Sequence, residues 1–376
     1  MISIINEIEK ISFDNPLQID SVNYNRYMVM SRNSDRTKTA YCFSVPIFNE
    51  QLMNIVDLKF RHNKFDSIYL GSSATITIAD TALFQNDYGS CYVSSLGKIA
   101  KRTNDTIYMD STTGCIEVSP TLNGLLYKVP CSVAHESTIR ISIDCSFESI
   151  RSNDKYFAIM REKYVPFITV SCVGTLNSRG QVIAPCDISY REVNDKEYIL
   201  TIKSESKRGK YIAYEINMHE VKLFEDTTVE SQHPSINNAF GGTAFLGETK
   251  YFGEQWLYSR LNFSILPQLH NKKIMKAVLH IPKLNNGDCL LIANRILERF
   301  CSFGSNWENK ISITEQFSES VASNGYQHLD ITELVRNINE KTGNFVVRAN
   351  TQKNKSTVVS TGDSYCHPQI LEIKYQ

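Results

Sequence analysis

Apolar and polar side chains alternate in many short runs along the chain, and a two-residue period predicts strands. In residues 256–265, Leu261, Phe263 and Ile265 alternate with Arg260, Asn262 and Ser264. In residues 274–281, Ile274, Lys276, Val278 and His280 alternate with Met275, Ala277, Leu279 and Ile281. Pro267 and Asn271 interrupt the pattern between them, so the two runs read as neighbouring strands joined by a loop.

The same period recurs upstream. Tyr41, Phe43, Val45 and Ile47 form one apolar set, Ala74, Ile76 and Ile78 another, and Ile139, Ile141 and Ile143 alternate with Arg140, Ser142 and Asp144. Residues 198–202 and 211–218 read as a hairpin turning at Ser206–Gly209. One helix is predicted: Asp330 caps it, Glu333 follows three residues on, and Ile331, Leu334, Val335 and Ile338 share a face, with Gly343 ending it. Many short strands with turns between them predict an all-β protein of two β-sandwich (jelly-roll-like) domains, with one short helix in the C-terminal domain. The boundaries read as an N-terminal arm over 1–36, a first sandwich over 37–224, a linker over 225–239 and a second sandwich over 240–376. In the arm, Ile2, Ile4, Ile5 and Ile8 offer a strand or clasp to a neighbouring subunit. The alternative is an edge strand of the first domain.

Several segments of the C-terminal part occur in a telling order. Arg260-Leu261-Asn262-Phe263 is followed by Ala277-Val278-Leu279, a central Trp307, Leu329-Asp330-Ile331-Thr332, Gly343-Asn344-Phe345 and Pro368-Gln369-Ile370-Leu371-Glu372-Ile373-Lys374-Tyr375. Over about residues 240–376 this resembles the DNRLRE family, a β-sandwich module similar to carbohydrate-binding modules and found in surface and appendage proteins. The resemblance implies a binding-type module with glycans among its ligands.

Composition narrows the function. Of 376 residues, 40 are Lys or Arg and 40 are Asp or Glu, so the net charge is zero. A nucleic-acid binder carries a basic excess, so that partner is not expected. Zero net charge also removes a barrier to self-association. No apolar run is long enough to span a membrane, and the N-terminus does not read as a secretory signal. A chain made in the cytoplasm then reaches a virion, spore or other extracellular assembly by another route. The ten cysteines form no C-x-x-C, which argues against zinc. They read either as reduced, half-buried thiols or as disulfide partners in an oxidising exterior.

No hydrolase or phosphate-loop motif is present, the His residues are scattered singly, and neither catalysis nor a cofactor is expected. His280 reads as a solvent-facing or hydrogen-bonded strand residue. Thr361-Gly362-Asp363 and Asn285-Asn286-Gly287-Asp288 carry oxygens suited to calcium, and both are also ordinary turn sequences. Trp256 and Trp307 supply bulk to a sandwich core, whereas Tyr258, Tyr326 and Tyr365 are the candidates to bind a ligand or a subunit. The pattern points to a non-enzymatic structural subunit of a phage-tail or spore-appendage type of assembly, in contact with itself or other structural subunits. The alternative is a carbohydrate-binding adhesin.

Overall fold

The structure is a computed structural model, and it describes residues 4–11, 18–19, 25–48, 59–62, 66–69, 74–79, 81–94, 96–131, 135–336, 343–350 and 355–376. Among the described residues, four antiparallel sheets, two short α-helices and two 3-10 turns make up the regular structure, so the fold is all-β as the alternation predicts. The chain divides into two units: Val56–Glu220, and Ile2–Ile55 together with Val221–Gln376.

The first unit stacks a sheet of nine strands on one of eight. Glu136–Asp144 shows why: its even-numbered residues are mostly exposed, whereas Ile139, Ile141 and Ile143 are buried. These meet Ile212, Tyr214 and Ile216 from Tyr211–Met218 in one core, where the Tyr127 and Tyr214 rings stack at 5.3 Å. The expected hairpin between 198–202 and 211–218 does not form. Glu197–Ser204 pairs with Glu136–Asp144 in one sheet, and Tyr211–Met218 pairs with Gly124–Pro130 in the other. Ile202 and Ile212 both belong to the core, so the connection carries the chain from one sheet to the other.

The second unit repeats the principle. One sheet runs Gln18–Ile19, Met28–Arg32, Lys38–Phe43, Ile370–Tyr375, Ile274–Pro282, Tyr326–Asp330 and Val321–Ser323. The other runs Gln316–Glu319, Leu291–Arg295, Asn344–Ala349, Gly253–Leu261, Thr243–Thr249 and Ser356–Ser360, with Phe224–Glu230 also on Gly253–Leu261. Leu257, Leu261, Phe345 and Val347 from one sheet share a core with Ala277, Leu279, Leu371 and Ile373 from the other. Gly253–Leu261 and Ile274–Pro282 are therefore not neighbours in one sheet. Two 3-10 turns, Phe263–Ile265 and Pro267–Leu269, take the chain between the sheets, and Phe263 and Ile265 lie in a turn instead of a strand.

The start of the chain departs most from expectation. Lys38–Phe43 pairs with Ile370–Tyr375 over its whole length, from Lys38↔Tyr375 to Phe43↔Ile370. Met28, Met30, Ala40 and Cys42 fill the second unit's core. The segments 28–32 and 38–43 thus belong with the C-terminal sandwich, not with an arm or with a domain running from 37 to 224. Pairing covers what would otherwise be an open edge of Ile370–Tyr375. Ahead of them, α1 (Ile4–Ile11) is a helix and not a strand. Ile4, Ile8 and Ile11 fall at i, i+4 and i+7 and are buried, whereas Ile5 is half-buried; Ile2 lies outside the described residues. The predicted C-terminal helix is α2 (Thr332–Arg336), and its Thr332 N–H donates to Asp330 Oδ1 at 2.9 Å. Ile331, Leu334 and Val335 are buried as expected; Ile338 lies outside the described residues.

Candidate functional site

Where Gly253–Leu261 ends and the chain turns toward Ile274–Pro282, the second unit opens a cleft of about 580 Å³. Leu257 and Leu261 point into the core, which leaves Arg260 on the other face of its strand. There it ion-pairs with Glu225, its cross-strand partner. Arg336, the last residue of α2, donates from Nε to the Ile274 carbonyl at 2.9 Å and from Nη2 to the Met275 carbonyl. Lys272 comes from the loop before Ile274, and Arg299 from the segment after Leu291–Arg295. Among the described residues, four cationic side chains thus line the cleft against one carboxylate, Glu225.

The remaining wall is ring and amide. Phe263 and His270 stack at 5.4 Å with 25° between their planes. His270 Nε2 donates to the Phe263 carbonyl at 3.1 Å, which fixes its tautomer. Asn262 and Asn271 also line the cleft, and Asn271 adopts φ 62, a left-handed conformation that asparagine tolerates well.

A second cluster lies on the other sheet. His280 is fully buried; its Nε2 lies 3.1 Å from Glu372 Oε2 and its Nδ1 2.6 Å from His328 Nδ1. His328 Nε2 is 2.7 Å from Ser323 Oγ. Two proton assignments fit a neutral His328: Nε2 accepts from Ser323 O–H while Nδ1–H points to His280, or Nε2–H donates to the Ser323 carbonyl 3.3 Å away while Nδ1 accepts from His280. Burial and the neighbouring His280 lower the pKa of His328, which favours this neutral form. Two residues of the next turn, Asn324 and Gly325, have positive φ and close a tight Asn-Gly hairpin. Helix α1 is anchored beside it: the Asn324 amide donates to the Lys10 carbonyl at 3.0 Å, and Tyr326 O–H donates to Glu7.

The three tyrosines singled out from sequence are not a surface. Tyr258 and Tyr365 are buried, as is Tyr326. Tyr258 O–H donates to the Ile311 carbonyl at 3.2 Å. Segment 300–313 supplies Phe300, Ile311 and Ile313 to the cluster around Tyr258 and Trp256, which accounts for its burial. Trp256 and Trp307 pack together at 5.1 Å, with Lys310 Nζ 3.8 Å from the centre of the Trp307 ring. Both therefore serve packing. His280, expected to be solvent-facing or hydrogen-bonded, is the latter.

Neither calcium-type turn is arranged as a metal cage. Asp363 ion-pairs with Lys222, and Asn285 Oδ1 accepts from the backbone N–H of Gly287 and Val358. Among the described residues no group of three or more His, Cys, Asp or Glu is placed to hold a metal ion, and no helix is long and apolar enough to cross a membrane. No disulfide joins any of the ten cysteines. Nearby, Asp226 is buried on Phe224–Glu230. One of its oxygens accepts from the Gly362 N–H, whereas Oδ1 has no hydrogen-bond partner among the described residues. Burial pushes its pKa up to about 7, against the opposing pull of the Gly362 N–H and of Lys222.

Sequence reasoning noticed Arg260 only as part of a motif, and it missed Lys272, Arg299, Arg336, His328 and Ser323 as site residues. The cations are spread over 260–336 and the Glu–His–His–Ser chain over 280–372, so no local spacing announces either group. No known protein family matches this chain, and no curated protein is similar to it.

Proposed function

We propose that this chain is a non-enzymatic structural subunit of an extracellular assembly, of the phage-tail or spore-appendage type, whose C-terminal unit holds a ligand. The observation that carries the reading is the cleft. Its volume suits a small-molecule ligand, and its walls combine rings, amides and charged groups that orient a bound molecule. Glu225, its one carboxylate among the described residues, is already ion-paired to Arg260, an arrangement suited to holding and not to proton transfer. The DNRLRE-like order of segments in residues 240–376 supports glycans as the ligand class, and an adhesin is the variant of this reading in which glycan capture is the main task. Zero net charge supports assembly with like subunits. A glycan array probed with the intact protein tests it. Reproducible hits that disappear in an Arg260→Gln, Lys272→Gln double variant of wild-type stability are expected; an empty array overturns the ligand-binding part.

A second reading, acyl transfer at Ser323, is favoured by one specific observation, the 2.7 Å contact between Ser323 Oγ and Nε2 of a neutral His328, with His280 and Glu372 behind it. Covalent labelling of Ser323 by a fluorophosphonate, abolished in His328→Ala, supports that reading. An unlabelled serine after prolonged exposure removes it.

A further inference from the structure

Building on the ligand-binding reading above, we propose that the cleft selects saccharides that carry an acidic group, either a carboxylate or a sulfate ester. The chain as a whole is neutral, with 40 cationic and 40 anionic side chains, so the four cations that surround one carboxylate among the described residues of the cleft are a local arrangement and not a reflection of composition. Gathering like charges costs self-repulsion, and an anionic ligand offsets it.

The geometry fits an oxyanion better than a diffuse negative surface. Three of the four cations are arginines, whose planar forks match two oxygens of one acid group. Arg336 enters binding already fixed, because Ile274 and Met275 carbonyls hold its Nε and Nη2. A pre-fixed guanidinium loses little rotamer freedom when a ligand arrives. Arg260 faces Glu225 across a partly exposed ion pair, with 30% and 41% of the two side chains accessible. Such pairs are weak in water, so a ligand's acid group competes for that guanidinium.

The sugar part of the ligand follows from the rest of the wall. The stacked Phe263 and His270 rings offer an apolar face to the C–H side of a pyranose, and the Asn262 and Asn271 amides offer a donor and an acceptor each to its hydroxyls. A bare inorganic anion needs neither. A nucleic acid strand needs a basic track and a surplus of positive charge, which this neutral chain lacks.

The test is isothermal titration of the intact protein with matched oligosaccharides: neutral, uronate-bearing and sulfated, with inorganic sulfate and phosphate as controls. At least about a tenfold preference for an acidic sugar over its neutral counterpart is expected from one charge-assisted fork. The preference shrinks as salt rises from low to well above physiological, because partly exposed charges are screened. Arg299→Gln and Lys272→Gln, both at exposed positions, reduce acidic binding several-fold and by a larger factor than they reduce neutral binding. Glu225→Gln strengthens acidic binding, since it removes the competing carboxylate, an effect that a purely structural Glu225 does not produce. Thermal melts check that each variant is folded. The uronate and sulfate arms say which acid is preferred. Equal affinity for neutral and acidic sugars overturns the acid selectivity and leaves the ligand-binding reading standing. Binding of the inorganic anions as tight as that of the acidic sugars overturns the saccharide part. No binding of any sugar overturns both.

Discussion

Asp226 offers a quantitative test of how the second unit is packed. An aspartate in an unfolded chain titrates near 3.9, and burial in Phe224–Glu230 raises this one to about 7. Between those values the folded protein keeps a proton that the unfolded chain has released. Stability from this group is therefore intact below about pH 4, falls as pH rises from about 4 to 7, and changes no further above 7. The gap between the two values converts to about 4 kcal/mol. D226N keeps the shape and the acceptor for the Gly362 N–H but removes the ionisation. It is thus expected to match the wild type to within about 1 kcal/mol near pH 4, where both side chains are neutral, and to exceed it by up to about 4 kcal/mol at pH 8. The assay is urea unfolding followed by tryptophan fluorescence at a series of pH values. The only two tryptophans, Trp256 and Trp307, both lie in the second unit, so the signal reports that unit alone. Parallel stability–pH curves for wild type and D226N over pH 4 to 8 refute the burial of this carboxylate.

Other consequences are as direct. Ile8→Ala removes a fully buried side chain from α1 and should cost about 2 to 4 kcal/mol, with faster amide hydrogen exchange across Ile4–Ile11; unchanged exchange there contradicts the docked helix. Gly247→Ala places a methyl 2.2 Å from the Lys355 carbonyl oxygen at φ 125, and a loss of about 2 kcal/mol or more is expected in the same unfolding assay. Alkylation of the native protein should reach the exposed Cys115 and Cys301 first, because burial pushes the Cys42 and Cys91 thiols up and shields them; early modification of Cys42 or Cys91 by peptide mass mapping contradicts their placement.

What could be read from the sequence follows from what period and pairing each encode. The alternation of Ile139, Ile141 and Ile143 with polar neighbours states which face of a strand is buried, and that face is the buried one. It says nothing about which strand lies alongside. Gly253–Leu261 and Ile274–Pro282 look like neighbours in sequence and occupy opposite sheets, because their apolar faces are complementary across a core. Ile2, Ile4, Ile5 and Ile8 fit a strand if the pattern is stopped at Ile8. Ile11 completes the helical spacing, and the decisive information is the partner that α1 covers. Membership of 28–43 in the C-terminal unit was hidden for the same reason: the pairing Lys38↔Tyr375 joins residues from nearly the two ends of the chain. Deletion of residues 1–30, an obvious probe of an assembly arm, removes α1 and part of Met28–Arg32 and so tests folding before it tests assembly. The cleft was least legible. Arg260, Lys272, Arg299 and Arg336 converge only when two turns and α2 bring them together, whereas Tyr258, Tyr326 and Tyr365 stood out in sequence for the bulk that packing buried.

The most direct measurement is a crystal structure of the protein soaked with the acidic oligosaccharide that binds best in solution. An intact sugar is expected in the cleft, its acid group against the Arg260 and Arg299 guanidinium groups and its ring over Phe263. A sugar bound elsewhere, a cleaved product, or an acyl group on Ser323 contradicts it.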